Sequence, residues 1–167
     1  LDAVYPSFNQ DSYEKGALCP VFFGSALNNF GVRELLDCFQ EIAPQPQPKR
    51  AEERLVLPNE SDFSGFVFKI HANIDPNHRN RIAFLKVVSG TFQRNKTYLH
   101  TRTGKPFKVS APTAFMASKK STIDEAFPGD IIGIPDNGSF RIGDTVSVRE
   151  ELHYVGIPSF SPEHFRF

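Results

Sequence analysis

A loop of small residues at positions 24–26, with the sequence Gly-Ser-Ala, follows an apolar run at residues 21–23. An amphipathic segment begins at Val32. This order predicts a buried strand, a tight loop and then a helix. Because such small side chains leave the backbone uncovered, the N–H groups of the loop could approach the flat edge of a ligand. Ligands of open α/β sheets bind where such loops lie, although small residues also suit an ordinary turn.

Cationic side chains are concentrated in the middle of the sequence, although the whole chain has 19 Lys and Arg against 19 Asp and Glu. Residues 76–123 contain no carboxylate side chain and hold ten cations. These are Arg79, Arg81, Lys86, Arg94, Lys96, Arg102, Lys105, Lys108, Lys119 and Lys120. Such a block predicts a surface that faces a polyanion such as RNA, because cations displace counter-ions from phosphates. A chance clustering of solvated cations is the alternative.

Several kinds of catalytic and ligand-binding chemistry lack their residue patterns in this sequence. A phosphate-binding loop needs G-x-x-x-x-G-K-[ST], but the only Gly-Lys pair, at residues 104–105, is followed by Pro106. An Asn-Lys-x-Asp motif is absent, since Thr97 and Tyr98 follow the Asn-Lys pair at residues 95–96. The five histidines show no metal-ligand spacing. We therefore predict no catalytic residue, no metal site and no tight binding of GTP by this chain.

The first part of the chain, residues 1–43, ends in a predicted helix with apolar residues on one face. These residues are Val32, Leu35, Leu36, Phe39 and Ile42. One strand and one helix cannot bury both of their faces, so the strand should belong to a larger parallel sheet. Residues 1–43 are thus predicted to be a small αβ remnant of a bigger domain. Alternating prolines predict an extended linker at residues 44–60.

Residues 61–150 have the pattern of short strands separated by turns. The first predicted strand places Phe66, Phe68, Ile70 and Ala72 on one face. Residues 82–88 are almost continuously apolar, and later strands are separated by turn sequences such as Pro128-Gly129 and Asn137-Gly138. Because no helical pattern intervenes, we predict a mainly β fold, a closed antiparallel β-barrel preceded by the αβ remnant. Residues 151–167 are predicted to begin a following domain.

The composition favours a protein of the cytoplasm. No stretch has the pattern of a signal peptide or of a membrane-spanning segment. The two cysteines, Cys19 and Cys38, lie far apart and form no C-x-x-C pair, as is typical of reduced cysteines in a cytosolic protein.

Two regions resemble the translational GTPase superfamily. The sequence Phe-Gly-Ser-Ala-Leu at residues 23–27, followed by Asn-Asn-Phe-Gly-Val and the predicted helix, resembles the last nucleotide-contacting motif of these proteins. In the predicted barrel, Pro-Gly-Asp-Ile at residues 128–131 and Ile-Gly-Asp-Thr at residues 142–145 resemble turns of their second domain. These turns identify the barrel type, which elongation factors Tu and G share.

Two further stretches are more specific. Residues 66–84, which include Ile-Asp-Pro-Asn-His-Arg-Asn-Arg, are similar to bacterial peptide chain release factor three. So is the sequence Gly-Ile-Pro-Ser-Phe-Ser-Pro-Glu at residues 156–163. Members of this family are GTPases that remove stop-codon-reading release factors from the ribosome. The resemblance implies an internal fragment, in which residues 1–43 are the C-terminal remnant of the GTP-binding domain and residues 61–150 are domain two.

The resemblance also implies roles for particular residues. The backbone of Ser25, Ala26 and Leu27 would contact the guanine of GTP or GDP in the intact parent protein. The barrel would face the small ribosomal subunit, and its candidate contacts with ribosomal RNA are Arg79, Arg81, Lys86, Arg94 and Lys96. The expected partners are the ribosome, through rRNA and proteins, and class-one release factors through the parent complex. Neither a membrane nor DNA is expected as a partner.

Two alternatives stay open. Within the superfamily, the chain could come from an elongation-factor-G-type translocase or a ribosome-protection factor. Outside it, the chain could be a stand-alone RNA-binding β-barrel without any GTPase. An upstream phosphate loop in the same reading frame would eliminate the second alternative.

Overall fold

The structure of the protein is a computed structural model that describes residues 7–72, 81–116 and 119–156. The chain divides into two compact units, Leu1–Gln45 and Pro46–Phe167, and each is described by itself. In the described part of the chain, no helix has the length and apolar character needed to cross a membrane.

Residues 7–45 of the first unit contain two helices, α1 at Gln10–Glu14 and α2 at Val32–Ile42. The predicted helix is therefore confirmed. Gly31 precedes α2 with a φ of 70°, a left-handed conformation that glycine adopts without steric cost. None of the residues of α2 is buried, although Val32 and Ile42 on its apolar face are half-buried. Leu36 and Phe39 on that face are 60% and 58% exposed.

The buried strand predicted before the small-residue loop is wrong. Residues 21–23 form no strand, and Val21 and Phe23 are 77% and 87% exposed. A strand is stable only where a neighbour pairs with its backbone N–H and C=O groups. No described residue pairs with this segment, so the apolar pattern alone does not produce a strand.

The second unit is built almost entirely of strands. They are β1 Lys49–Arg50, β2 Leu55–Val56, β3 Ser64–Ala72, β4 Arg81–Ser89, β5 Phe92–Gln93, β6 Thr97–His100, β7 Lys105–Lys108, β8 Thr113–Met116, β9 Lys119–Thr122, β10 Glu125–Ala126, β11 Ile131–Asp136 and β12 Thr145–Ser147. Eight of them form one sheet in the order β7-β6-β12-β3-β4-β11-β8-β9, and β1-β2 and β5-β10 form two small sheets. Every pairing is antiparallel. The predicted mainly β, antiparallel fold is confirmed.

The eight-stranded sheet curls around a single apolar core, to which almost every strand region contributes. Its buried members are Phe63, Val67, Ala83, Leu85, Val87, Phe92, Tyr98, Val109, Ala126, Ile132, Ile134, Phe140 and Val146. The ring of Phe63 packs against Phe92 and Tyr98, with centroid separations of 5.5 and 4.8 Å. Because Tyr98 is buried, its hydroxyl needs partners; it donates to Gln93 O at 2.9 Å and accepts from Gln93 N at 2.6 Å. Truncating such an aromatic side chain would cost roughly 3–5 kcal/mol.

The side chains of β3 do not alternate regularly between the two faces of the sheet, as the sequence predicts that they should. Its pairing with β4 shifts by one residue between Val67 and Lys69, so Phe68 is an extra, bulged residue. Val67 points into the barrel core, whereas Phe66 and Phe68 pack in a second cluster outside it. After the bulge, Ile70 packs against the barrel core again. Phe66, Phe68 and Ile70 therefore do not share one face, because the bulge reverses the facing.

The second apolar cluster joins the two ends of the barrel unit. Besides Phe66 and Val88, it contains Ala51 and Val56 from the β1–β2 hairpin and Leu152 and Tyr154 from the segment after β12. The backbones of Ala51 and Tyr154 form an isolated antiparallel bridge. Residues on both sides of the range 61–150 thus pack on the barrel. The domain boundaries given above remain a prediction.

Candidate functional site

The small-residue loop forms a tight hairpin-like turn. Ser25 N donates to Phe30 O at 2.9 Å, and Phe30 N donates to Ser25 O at 3.0 Å. Inside the turn, Asn29 N donates to Ala26 O at 3.3 Å, and Asn29 has a φ of 52°. Asparagine tolerates this left-handed conformation better than most residues do. The turn is therefore closed by its own backbone and presents its tip outward.

Gly24 and Gly31 lie on either side of this turn, where two stretches of backbone come close together. A Cβ atom on Gly31 would lie 2.5 Å from Phe23 O, and one on Gly24 would lie 2.9 Å from Phe30 O. Such separations are shorter than real Cβ contacts, so larger residues at either position would push the turn apart.

The three residues predicted to contact guanine differ in what they offer. The N–H group of Ser25 is already bonded within the turn, and its Oγ lies 3.4 Å from Asn28 N. Ala26 and Leu27 form the tip, where Leu27 is 96% exposed. The turn can therefore offer the backbone of residues 26–27 to a flat ligand, with little side chain of Ala26 in the way.

The predicted RNA contacts do not form one cluster. Arg79 lies outside the described residues. Arg81, at the start of β4, lies with its Nε 3.3 Å from Oδ2 of Asp136, whose side chain is 0% exposed. Oδ1 of the same carboxylate accepts backbone N–H bonds from Ser139 at 2.8 Å and Gly138 at 3.0 Å. Arg81 therefore neutralises a buried carboxylate and has less charge available for a polyanion.

Arg94 and Lys96 are brought together at an open groove of about 480 Å³. The residues that line it are Gln93, Arg94, Asn95, Lys96, Asp124 and Glu125. Arg94 Nε donates to Ser110 O at 2.8 Å, and its Nη1 lies 3.3 Å from Asp124 Oδ1. Lys96 is exposed and forms no ion pair among the described residues. The groove thus combines cations with two carboxylates, which weakens its attraction for phosphates.

Lys86 lies on a different surface, the outer face of β4. It is exposed, and its direct cross-strand neighbours are Phe66 on β3 and Ile131 on β11. The same face carries Lys69 and Phe84, which are directly opposite each other. Lys69 was not among the predicted contacts, because it precedes the acid-free block of the sequence.

One cation of the basic block is fully committed to the fold. Arg102 donates to both carboxylate oxygens of Asp144, through Nε at 2.6 Å and Nη2 at 3.0 Å. His100 Nε2 lies 2.7 Å from the same carboxylate, and Arg141 N donates to it at 2.8 Å. Burial alone would raise the pKa of Asp144, but the hydrogen bonds from Arg102, Arg141 and His100 outweigh it and lower that pKa. The hydrogen bond to Asp144 in turn raises the pKa of Arg102.

One group of exposed side chains among the described residues has metal-ligating atoms within 4.8 Å of one another, namely Glu52, Glu53 and His153. Glu53 is already engaged, because its Oε1 lies 2.7 Å from His153 Nδ1 and its Oε2 accepts from His153 N at 2.9 Å. This arrangement is an ion pair between two segments, and an exposed acidic group of this kind is common without a metal.

Comparison with known proteins identifies the barrel. Residues 62–149 match the protein family described as elongation factor G domain 2. Among solved structures, the crystal structure of a protein from Thermus thermophilus is similar, with a TM-score of 0.64 and 21% sequence identity. The alignment covers 84% of this chain but 19% of that one, so the chain spans about one fifth of that protein's length. A likeness at this identity shows the shared fold alone.

The family match extends over more than half of the 167 residues and coincides with β3 to β12 and the core that they enclose. The residues that form the curled sheet are thus those that the family defines. The chain belongs to the elongation factor G domain 2 family, and its barrel is a translation-factor domain two of that type.

Proposed function

We propose that this chain is part of a translational GTPase of the release factor three type. In this proposal, residues 1–43 are the end of the GTP-binding domain, the barrel is domain two, and residues 151–167 begin the next domain. The observation that carries it is the combination of an elongation factor G domain 2 barrel with a preceding turn at Ser25, Ala26 and Leu27. The exposed apolar face of α2 supports this proposal, because such a face would pack against the sheet of a complete GTP-binding domain.

The barrel would attach the parent protein to the ribosome. Lys86 and Lys96 are exposed and form no ion pair among the described residues, so both are available for phosphate contacts. Arg94 is shared with Asp124, and Arg81 with Asp136. We therefore rank Lys86 and Lys96 above the two arginines as contacts with ribosomal RNA. The role of Arg79 rests on the sequence resemblance alone.

The turn at Ser25, Ala26 and Leu27 would contact guanine through its backbone once the rest of the GTP-binding domain holds the nucleotide. GTP or GDP is thus the expected cofactor of the parent protein. Hydrolysis of GTP there would accompany the removal of class-one release factors from the ribosome in the cytoplasm. The chain itself contains no phosphate-binding loop and supplies only docking surfaces.

An elongation-factor-G-type translocase is the second candidate, because the family match supports both equally. The deciding experiment uses the purified protein whose sequence contains this chain. On ribosomes stalled at a stop codon, it should accelerate dissociation of a labelled class-one release factor in the presence of GTP. On pre-translocation ribosomes, it should leave the tRNAs in place. Translocation without release-factor dissociation would establish the second candidate and refute the first.

A further inference from the structure

Two loops of the barrel meet at one end of its strands. Residues 101–105 lead from β6 into β7, residues 137–143 precede β12, and the antiparallel pairing of β6 with β12 places both loops at the same end. Arg102 joins the two loops, because its Nη2 donates to Ser139 O at 2.7 Å. We call the surface formed by residues 101–105 and 137–143 the barrel-end surface.

The second of these loops is held at both of its ends by a buried carboxylate. Oδ1 of Asp136 accepts from the N–H groups of residues 138–140 at 3.0, 2.8 and 3.2 Å. Oδ2 of Asp144 accepts from Arg141 N at 2.8 Å. Because buried carboxylates keep such hydrogen bonds, the loop has a defined shape in the free protein. A ligand that binds there therefore has little backbone to order.

The barrel-end surface carries cations and no exposed acid. Its two loops contain no Asp or Glu, and the two acids that flank the second loop, Asp136 and Asp144, are both buried. Lys105 and Arg141 are exposed and form no ion pair with a described residue. The charge of this surface is therefore complementary to a polyanion.

Exposed acids border this surface beside His153. His153 and Arg102 line one open pocket of about 380 Å³, and Oε1 of Glu53 lies 2.7 Å from Nδ1 of His153. Arg102 is itself committed to a buried carboxylate. The attraction for a polyanion is therefore weak at this pocket. The contacts expected from the barrel-end surface are Lys105 and Arg141.

The aromatic rings beside the barrel-end surface pack inward. Phe140, the one Phe, Tyr or Trp of the two loops, is 6% exposed. Phe107 on β7 lies edge-on to it, with a centroid separation of 5.3 Å, and also packs against the barrel core. Single-stranded nucleic acid is held by stacking bases on open rings, whereas base-paired RNA is recognised through phosphates, 2′-hydroxyls and shape. Cations without an open ring therefore suit base-paired RNA.

We propose that the barrel-end surface binds the backbone of base-paired RNA, with Lys105 and Arg141 contacting its phosphates. This inference rests on the proposed docking role of the barrel and adds where RNA lies on it. Arg102 acts as a positioning residue, because it holds together the two loops that carry these contacts. Since phosphate contacts carry no sequence information, binding should tolerate changes of RNA sequence.

The test measures binding of the whole chain to a short fluorescein-labelled RNA duplex, by fluorescence anisotropy over a range of salt concentrations. Lys105→Ala and Arg141→Ala should each reduce the slope of log K against log salt by about 0.9. A duplex of scrambled sequence should bind with the same affinity within about twofold. The single strand should bind at least about threefold more weakly, because its charge density is lower.

Arg149→Ala is the matched control, because it removes a charge from an exposed position just beyond the other end of β12. It should leave the slope unchanged. Both test substitutions truncate exposed side chains, so all three variants should fold, and thermal unfolding verifies this. Absence of duplex binding, tighter binding of the single strand, or a slope that Lys105→Ala or Arg141→Ala reduces no more than Arg149→Ala does would overturn the inference.

Pelleting with small ribosomal subunits separates failure of this inference from failure of the proposed function. If the chain pellets with the subunits and neither Lys105→Ala nor Arg141→Ala changes the salt dependence, the barrel-end surface does not hold RNA, and the docking role of the barrel stands. If the chain binds the duplex as expected but does not pellet with the subunits at low salt, the docking role fails and the RNA-binding surface stands.

Discussion

Tyr154 Oη lies 2.6 Å from Ser64 Oγ, and this contact attaches the segment after the last barrel strand to the start of β3. Ser64 Oγ also lies 2.6 Å from Ser89 Oγ, which donates to Asp62 O at 2.9 Å. Burial raises the pKa of Tyr154 to about 12, so this hydroxyl stays protonated at any physiological pH. The barrel is therefore bound to its flanking segment by a buried polar chain as well as by apolar packing.

Tyr154→Phe should lower the free energy of unfolding by about 1 kcal/mol, because it removes one hydrogen bond and leaves the ring in place. Urea unfolding followed by far-UV circular dichroism measures this difference. The matched control is Tyr13→Phe, whose hydroxyl forms no hydrogen bond with a described residue. An equal effect of the two substitutions would show that the hydroxyl chain does not stabilise the barrel.

Asp144→Asn should destabilise the barrel strongly, by roughly 3 kcal/mol. The side chain is 4% exposed, and the substitution leaves Arg102 and His100 without their shared carboxylate. Asp124→Asn provides the control, because that carboxylate is 84% exposed and pairs with Arg94 at the surface. The control should change the free energy of unfolding by less than about 0.5 kcal/mol. Comparable losses in chemical unfolding of the two variants would refute the structural role of Asp144.

The pair of Glu53 and His153 should make stability depend on pH within a defined window. The hydrogen bond from His153 lowers the pKa of Glu53 from 4.5 to about 2, so its contribution is present above 4.5 and is lost as the pH falls toward 2. The hydrogen bond to Glu53 raises the pKa of His153 above 6.5, so its contribution is present below 6.5 and is lost at higher pH. The pair therefore stabilises most between about pH 4.5 and 6.5.

Glu53→Gln tests this window. The difference in free energy of unfolding between the parent chain and the variant should be greatest near the middle of the window and smaller in alkaline solution, where only the hydrogen bonds from His153 to the Glu53 carboxylate remain. Because both side chains are substantially exposed, the maximum should be only about 0.5 kcal/mol. Glu125→Gln, at another exposed position, should give a difference that does not follow this pattern. A Glu53→Gln effect that grows with rising pH would contradict the assignment.

The chain alone should not bind GTP at micromolar concentration, as measured by isothermal titration calorimetry. The turn at Ser25, Ala26 and Leu27 offers a contact to the base, but the sequence contains no phosphate-binding loop. Most of the affinity for a nucleoside triphosphate comes from contacts with its phosphates and with the Mg²⁺ bound to them. This chain has no phosphate-binding loop to make those contacts. Heat of binding that saturates at micromolar GTP would contradict the prediction.

Local sequence signals predicted the elements that depend on neighbouring residues. Helix α2 followed from the apolar spacing of Val32–Ile42, and most barrel strands followed from alternation between turn residues. The same signals failed at residues 21–23, because a strand needs a partner that local sequence does not specify. The bulge at Phe68 was equally hidden, since it is defined only by the register between β3 and β4.

The candidate site was less predictable because its charges pair over long distances in sequence. The acid-free block suggested ten free cations, yet Arg102 meets Asp144, which lies 42 residues later. Arg81 and Arg94 also meet carboxylates outside that block, Asp136 and Asp124. Composition therefore located the basic region of the chain, and only the fold distinguished neutralised cations from exposed ones.

Docking of this barrel on the ribosome is tested most directly by pelleting the chain with small ribosomal subunits over a range of salt concentrations. Binding should weaken as the salt concentration rises, and Lys86→Ala and Lys96→Ala should each reduce the slope of log K against log salt by about 1. Lys15→Ala, which removes a lysine paired with Asp11 outside the barrel unit, should leave the slope unchanged. Absence of binding at low salt, or equal slopes for all three variants and the parent chain, would contradict docking by the barrel.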